Sequence, residues 1–232
     1  MLILAIDTAL DACAAGVLDT DAGRLIAQES QAMRRGHAEA LMPLIARVMT
    51  QSGLSFSALD RVAATTGPGS FTGLRVGLSA ARGIALAANK PVVGVTTLTA
   101  YAAAVVSEHG EHPVIAAIDA RHDHVYFQVV GGDGTSLIAP QVAPIAEAIA
   151  AWRFGAPLLV GNAAKILSDH WPAHAAPPVK VDAQPSPDIA WVAWLGAAVN
   201  PQSAPARPYY LRAPDAKPSK DTPLTASQPP IS

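Results

Sequence analysis

The chain has 232 residues, half of them hydrophobic, 15% charged and only 5% aromatic, with about a fifth alanine. A composition this apolar excludes a disordered chain and leaves one large domain, or two small ones, around a core that needs no disulfide or metal staple. Sixteen Lys and Arg against eighteen Asp and Glu give a formal net charge of −2, which speaks against a protein that grips nucleic acid by itself through a basic stripe.

The apolar run at 2–6 ends at Asp7-Thr8 and predicts a buried strand followed by a turn. Strands are predicted at 13–19 and 24–30, joined by the Asp- and Gly-containing turn at 19–23, so the N-terminus reads as an antiparallel meander. Apolar side chains at Ala38, Leu41, Met42, Ile45, Val48 and Met49 predict a helix over 36–51, closed by Gly53, with Pro43 bending it or marking a helix start. A short strand at 61–67 leads through Gly67-Pro68-Gly69 into a second helix at 72–88 with Ser70 as its N-cap. A strand at 91–96 and a helix at 98–106 complete the order βββαβαβα.

A second unit starts near Pro113, with strands at 113–120 and 124–130, a glycine-rich turn at 131–134, a short helix at 143–151 and a strand at 157–162. It opens as the first unit does, with AIDTA at 5–9 echoed by AIDAR at 117–121, a faint trace of internal repetition or a chance match of a short apolar string. The last predicted helix covers 189–199. Thirteen of the twenty prolines follow residue 170, and the stretch 213–232 reads as a disordered tail.

No uninterrupted apolar run approaches the ~20 residues of a membrane span, and the apolar N-terminus lacks a positive n-region, so the expectation is a soluble cytoplasmic protein. The single cysteine, Cys13, excludes an internal disulfide framework and reads as a buried strand thiol.

The most specific motif runs from Thr66 to Gly77, through Gly67, Pro68, Gly69, Ser70, Phe71, Thr72, Gly73, Leu74 and Arg75. A glycine-rich strand-to-helix turn suggests anion binding at a helix N-terminus. The spacing fits neither the P-loop nor the dinucleotide fingerprint, and Pro68 removes a backbone N–H, so a plain turn stays open beside the anion site. In the helix that follows, Gly73, Gly77, Ala81 and Ala85 line one face at four-residue spacing, opposite Leu74, Leu78 and Ile84. That small face would admit a close helix partner, either within the chain's own core or from another protein.

His37 would need a second ligand four residues on to make a helical metal site, and that position is Leu41. The pairs His122/His124 and His170/His174 read as surface or loop histidines. Asp7 and Asp119, at the ends of two apolar strands, stand where α/β folds place functional carboxylates, though hydrogen-bonded caps are the commoner use.

Taken together, ILAIDTA, HAEALMP, TGPGSFTGLRVGLSAARGIA, DARHDHVYF with Arg121 and Tyr126, and PYYLR resemble the bacterial TsaB (YeaZ) family over residues 1 to 212. The resemblance implies an α/β fold of two actin-like (ASKHA, ribonuclease-H-like) subdomains, 1–106 and 107–212, with mixed sheets flanked by helices and the last helix packing back on the first unit. It also implies a non-catalytic paralogue of TsaD, the subunit that places the threonylcarbamoyl group on adenosine of tRNA. The catalytic paralogue holds a metal through an HxxxH pair, and here the matching run is His37-Ala38-Glu39-Ala40-Leu41, which supports loss of that metal.

Further implications are a TsaD-like partner and a TsaE-like ATPase, a homodimer when alone, contact with tRNA only through the complex, and no membrane. No cofactor is expected in this subunit, while ATP or ADP and a metal belong to its partners. In the family the segments matching 36–51 and 72–88 form a four-helix bundle with the partner, so His37, Leu41, Ile45, Leu74, Arg75, Gly77, Leu78 and Ala81 are the interface candidates. The rivals are an ASKHA-type nucleotide-dependent enzyme, disfavoured because the turns after Asp7 and Asp119 hold no glycine, and a glycoprotease-like peptidase, disfavoured by the missing histidine.

Overall fold

A computed structural model describes residues 1–106 and 110–212; the proline-rich stretch 213–232 lies outside the described residues. Strands β1 (Leu2–Asp7), β2 (Ala12–Asp19) and β3 (Arg24–Ala32) form the meander, followed by α1 (His37–Ser52), β4 (Arg61–Gly67), α2 (Phe71–Ala88), β5 (Val92–Thr96) and α3 (Thr97–Val106). Then come β6 (Val114–Arg121), β7 (His124–Val130), β8 (Ser136–Pro144), α4 (Ile145–Ile149), β9 (Leu158–Val160), α5 (Ala164–Asp169), β10 (Lys180–Asp182) and α6 (Ile189–Ala198). The helix expected over 143–151 is shorter, because β8 runs as far as Pro144 and a 3₁₀ turn takes over from Ala150 to Phe154.

Two five-stranded sheets result, ordered β3-β2-β1-β4-β5 and β8-β7-β6-β9-β10. Each has its own first strand at the centre, antiparallel to the second and parallel to the fourth: Leu4 pairs with Val17 and Val62, and Ile115 with Val129 and Leu159. The two sheets are therefore one topology used twice, and Asp7 and Asp119 sit at matching ends of the two central strands.

Helix ends follow local chemistry. Gly36 and Gly53 take left-handed φ values of 88° and 70° on either side of α1. The helix runs unbroken from His37 to Ser52 with Pro43 on its exposed side, so that proline marks no helix start. Ser70 caps α2 by accepting the Gly73 N–H at 3.2 Å. Asp188 caps α6 by accepting the Ala190 N–H at 2.8 Å. At the other end of α6, Arg61 Nη1 lies 2.7, 3.1 and 2.8 Å from the carbonyls of Gly196, Ala197 and Val199, a cation on the negative end of the helix dipole.

The core falls into four layers. Helices α1 and α2 cover the outer face of the first sheet through Leu41, Ile45, Leu78 and Ala81, packed with Leu4, Ile6 and Val62. Helices α4 and α5 cover the outer face of the second through Ile149, Ala164 and Leu167. The two inner helices are exchanged: α6 packs on the first sheet against Ile3, Ala5 and Val93, and α3 packs on the second against Val114, Ile118 and Leu158.

Candidate functional site

The turn after β1 is built around a buried carboxylate. Asp7 Oδ1 accepts the Thr65 hydroxyl at 2.6 Å and the Ala9 N–H at 3.0 Å, while Oδ2 is buried and has no hydrogen-bond partner among the described residues. Burial pushes the Asp7 carboxyl above its usual range, against the opposing pull of the Thr65 and Ala9 hydrogen bonds and of nearby His37. His37 is itself buried, and its Nε2 donates to the Leu10 carbonyl at 3.1 Å.

The glycine motif closes down on this same turn. A Cβ at Gly69 would lie 2.3 Å from the Ala9 carbonyl oxygen, one at Gly73 would lie 2.1 Å from the Thr8 carbonyl oxygen, and one at Gly77 would lie 2.3 Å from Thr8 Oγ1. Ser70 N–H donates to the Ala9 carbonyl at 2.7 Å, and the Thr8 hydroxyl donates to the Gly73 carbonyl at 2.7 Å. The glycines let helix α2 touch the backbone of residues 8–9, and the space a phosphate would need there is filled by the chain itself. Leu10, on the same turn, packs with Leu211 against the second sheet's core cluster of Leu98, Tyr101 and Ile118.

The interface expectation needs correcting for most of its residues. Leu41, Ile45, Leu74, Gly77, Leu78 and Ala81 are all buried in the chain's own fold, so they face the first sheet and its turn rather than a partner. The small face of Gly73, Gly77, Ala81 and Ala85 serves that internal contact. Of the eight candidates, Arg75 alone is exposed; its guanidinium lies 3.8 Å over the Phe71 ring.

What α1 and α2 turn outward is a different stripe. Met42, Phe56, Ala80, Gly83, Ile84 and Ala87 line an apolar groove of about 470 Å³, with Leu86 beside it 85% exposed. Gly83 sits inside α2, and a Cβ there would meet nothing within 4 Å. Glycine in a helix interior costs about 1 kcal/mol relative to alanine, and among the described residues no neighbour requires it at this position.

The second repeat is open where the first is closed. Asp119 is exposed; its Oδ1 accepts the Arg121 N–H at 2.7 Å and its own N–H donates to Asn162 Oδ1 at 2.9 Å. Arg121, His122 and Asp123 follow with φ of 62°, 52° and 59°. This left-handed turn holds His122, in keeping with a loop histidine, and His124 opens β7 with its Nδ1 2.7 Å from the His122 carbonyl. Tyr126 is half-buried against the second sheet's core. His170 bonds the Ile166 carbonyl at 2.9 Å, whereas His174 packs edge-on to Trp152.

Among the described residues no group of three His, Cys, Asp or Glu side chains is placed to hold a metal ion. Burial pushes the Cys13 thiol up to about 11, the range of an inert thiol. A larger cavity of about 690 Å³ between β3, α3 and the segment before α6 contains Glu29 and Asp188, but Glu29 is paired to Arg47 and Asp188 caps α6. Among the described residues no helix is long and apolar enough to cross a membrane.

Two copies of one mixed-sheet topology, exchanged inner helices and an aspartate at the end of each central strand define an actin-like (ASKHA) α/β protein. The profile of the family described as TsaD, tRNA N6-adenosine threonylcarbamoyltransferase, matches residues 26–177. The structure of YeaZ from Pseudomonas aeruginosa superposes with a TM-score of 0.74 at 30% identity, over 90% of this chain and 99% of that one. The chain belongs to the TsaB/YeaZ family within this wider TsaD relationship.

The tRNA threonylcarbamoyladenosine biosynthesis protein TsaB of Haemophilus influenzae is 39% identical over 130 residues, which is 56% of this chain and 54% of that protein. The chain thus spans about half the length of the curated TsaB relatives it matches. An uncharacterized protein of Mycobacterium tuberculosis is 34% identical over 218 residues, 93% of this chain and 94% of that one.

Proposed function

We propose that the chain takes part in forming N6-threonylcarbamoyladenosine on tRNA as a non-catalytic subunit, and that it docks a TsaD-like catalytic subunit on the outward face of α1 and α2 and activates it. The observation that carries the reading is Gly83: a helix-interior glycine open to solvent, in an apolar groove with Met42, Phe56 and Ile84. A partner helix lying across that stripe would remove the groove from water and make use of the missing side chain.

Two further features support a subunit without chemistry of its own. The turn after Asp7 is occupied by the chain's own Ser70, Gly73 and Leu10, where an ASKHA enzyme would need room for phosphates. Leu41, in the second place of the HxxxH run, is a core side chain and offers no ligand atom. ATP or ADP, a metal and a TsaE-like ATPase then belong to the rest of the complex, and tRNA modification requires the assembly. The same face would pair two copies of the chain when no catalytic subunit is present.

The test is reconstitution. The chain is mixed with its TsaD-like and TsaE-like partners, and threonylcarbamoyladenosine on tRNA is measured by mass spectrometry of nucleosides. Modification is expected to need this chain and to be lost with Gly83→Arg. Full modification without the chain, or with the folded variant, would contradict the reading.

A further inference from the structure

The cavity of about 690 Å³ takes its lining from an edge strand of each sheet, β3 and β10, and from both inner helices, α3 and α6. Its volume is that of a small-molecule site, and a seam between two units is where such sites commonly form. Buried Tyr101, Val105 and Val160 give it an apolar part. Helices α1 and α2 cover the other face of the first sheet, so the cavity is separate from the docking groove between them.

One wall is held in place before any ligand arrives. The Tyr101 hydroxyl donates to the Gln184 carbonyl at 2.9 Å, and Gln184 Nε2 donates to Asp182 Oδ1 at 2.9 Å. Pro185 and Pro187 fix their own φ angles in the segment that follows. Asp188 then caps α6 through Oδ1, so the wall is anchored at both ends. A wall ordered in advance spares a ligand the entropy of ordering it.

The cavity carries negative charge that the chain leaves unbalanced. Asp182 and Asp188 each use Oδ1 internally, and neither Oδ2 has a hydrogen bond or ion pair among the described residues. Glu29 is set aside, because Arg47 already neutralises it. Among the described residues that line the cavity there is no lysine or arginine. Burial, and after it the charges of Asp7, Asp11 and Asp182, push the Tyr101 hydroxyl above its usual range, so the field at this part of the cavity is negative.

We propose that this cavity binds an aliphatic amine with two or more ammonium groups, the chemistry of a linear polyamine. Its methylenes lie against Val105 and Val160, and its ammonium groups, which only donate, give hydrogen bonds to Oδ2 of Asp182 and of Asp188. A bare metal ion fits poorly, because among the described residues no three His, Cys, Asp or Glu side chains meet. A ligand bearing phosphates is repelled by the same carboxylates that hold the amine. Binding weakens with salt, since both carboxylates stand at the solvent side of the cavity.

The test is isothermal titration of the full chain with spermidine at low salt, with magnesium chloride as the charge-only control. Saturable one-site binding of spermidine is expected, and magnesium should not match it. Asp182→Asn/Asp188→Asn keeps the shape of both side chains, and asparagine still caps α6. Each lost charge pair should weaken binding about three- to fivefold, so about tenfold in the double variant. Hydrogen exchange of the wild-type chain needs no variant to fold, and spermidine should protect the peptides holding Gln28 to Ser30 and Gln184 to Trp191. No saturable binding, equal binding of magnesium, undiminished binding by the folded double variant, or protection confined to other peptides would overturn the proposal.

Discussion

The same substitution at two glycines of one helix should change stability in opposite directions. In Gly83→Ala the new Cβ meets nothing, so the variant gains the helix-propensity difference, about 1 kcal/mol. In Gly77→Ala the same gain is available, but the Cβ would stand 2.3 Å from Thr8 Oγ1. Thr8 is buried and its hydroxyl is bonded to the Gly73 carbonyl at 2.7 Å, so it cannot turn away without breaking that bond. Overpacking costs about 1–3 kcal/mol and the lost hydrogen bond about 1 kcal/mol more, so the net effect is a destabilisation of about 1–3 kcal/mol. For a chain of this length each kcal/mol shifts Tm by roughly 2–4 °C. Thermal and urea unfolding of the isolated chain should place Gly83→Ala above the wild type and Gly77→Ala several degrees below it. If Gly77→Ala is as stable as Gly83→Ala, then α2 does not rest on the Thr8 turn as described, and the account of the glycine motif is wrong.

Other outcomes follow from single groups. The folded pKa of Asp7 is raised above its unfolded value of 3.8, so the folded state holds the proton longer and wild-type stability falls as pH rises from about 4 through the folded pKa. Asp7→Asn cannot ionise, so its urea midpoint relative to wild type should improve between pH 4 and pH 8; a constant difference would show that Asp7 does not titrate in a buried site. Arg61→Ala leaves the last carbonyls of α6 without their cation and should cost about 2 kcal/mol in urea unfolding, while an unchanged midpoint would mean that water replaces it.

The sequence carries the first sheet almost entirely, because its apolar runs are bounded by Asp- and Gly-rich turns. The second sheet was harder to read. Strand β8, SLIAPQVAP, is an edge strand broken by Pro140 and largely exposed, so it has neither the alternation nor the apolar run that marks a strand. Strand β10 has three residues and α5 six, too short for any periodicity to register. The AIDTA and AIDAR echo was the available signal: laying the order of the first sheet on the second demands a third and a fifth strand where β8 and β10 stand.

The outward side of α2 is hard to read from the sequence for a different reason. Both its inward and outward stripes are small, Gly73, Gly77 and Ala81 on one side and Ala80, Gly83 and Ala87 on the other. Size alone does not separate them. The polar positions Thr72, Arg75, Ser79 and Arg82 do, since they are exposed and mark the solvent side. That Gly73 and Gly77 admit a close approach is legible from their spacing, but what approaches Gly69, Gly73 and Gly77 is not, because their neighbours are the turn some sixty residues earlier. The stacking of Tyr210 on Phe71 likewise joins residues across a separation that no local pattern encodes.

The docking claim is tested most directly by sedimentation velocity of the chain mixed with its TsaD-like partner, comparing wild type, Gly83→Arg and Arg121→Glu, each shown by thermal melting to be folded. The account predicts a stable complex for wild type and for Arg121→Glu, and separate species for Gly83→Arg. A Gly83→Arg variant that sediments with the partner as the wild type does would contradict it.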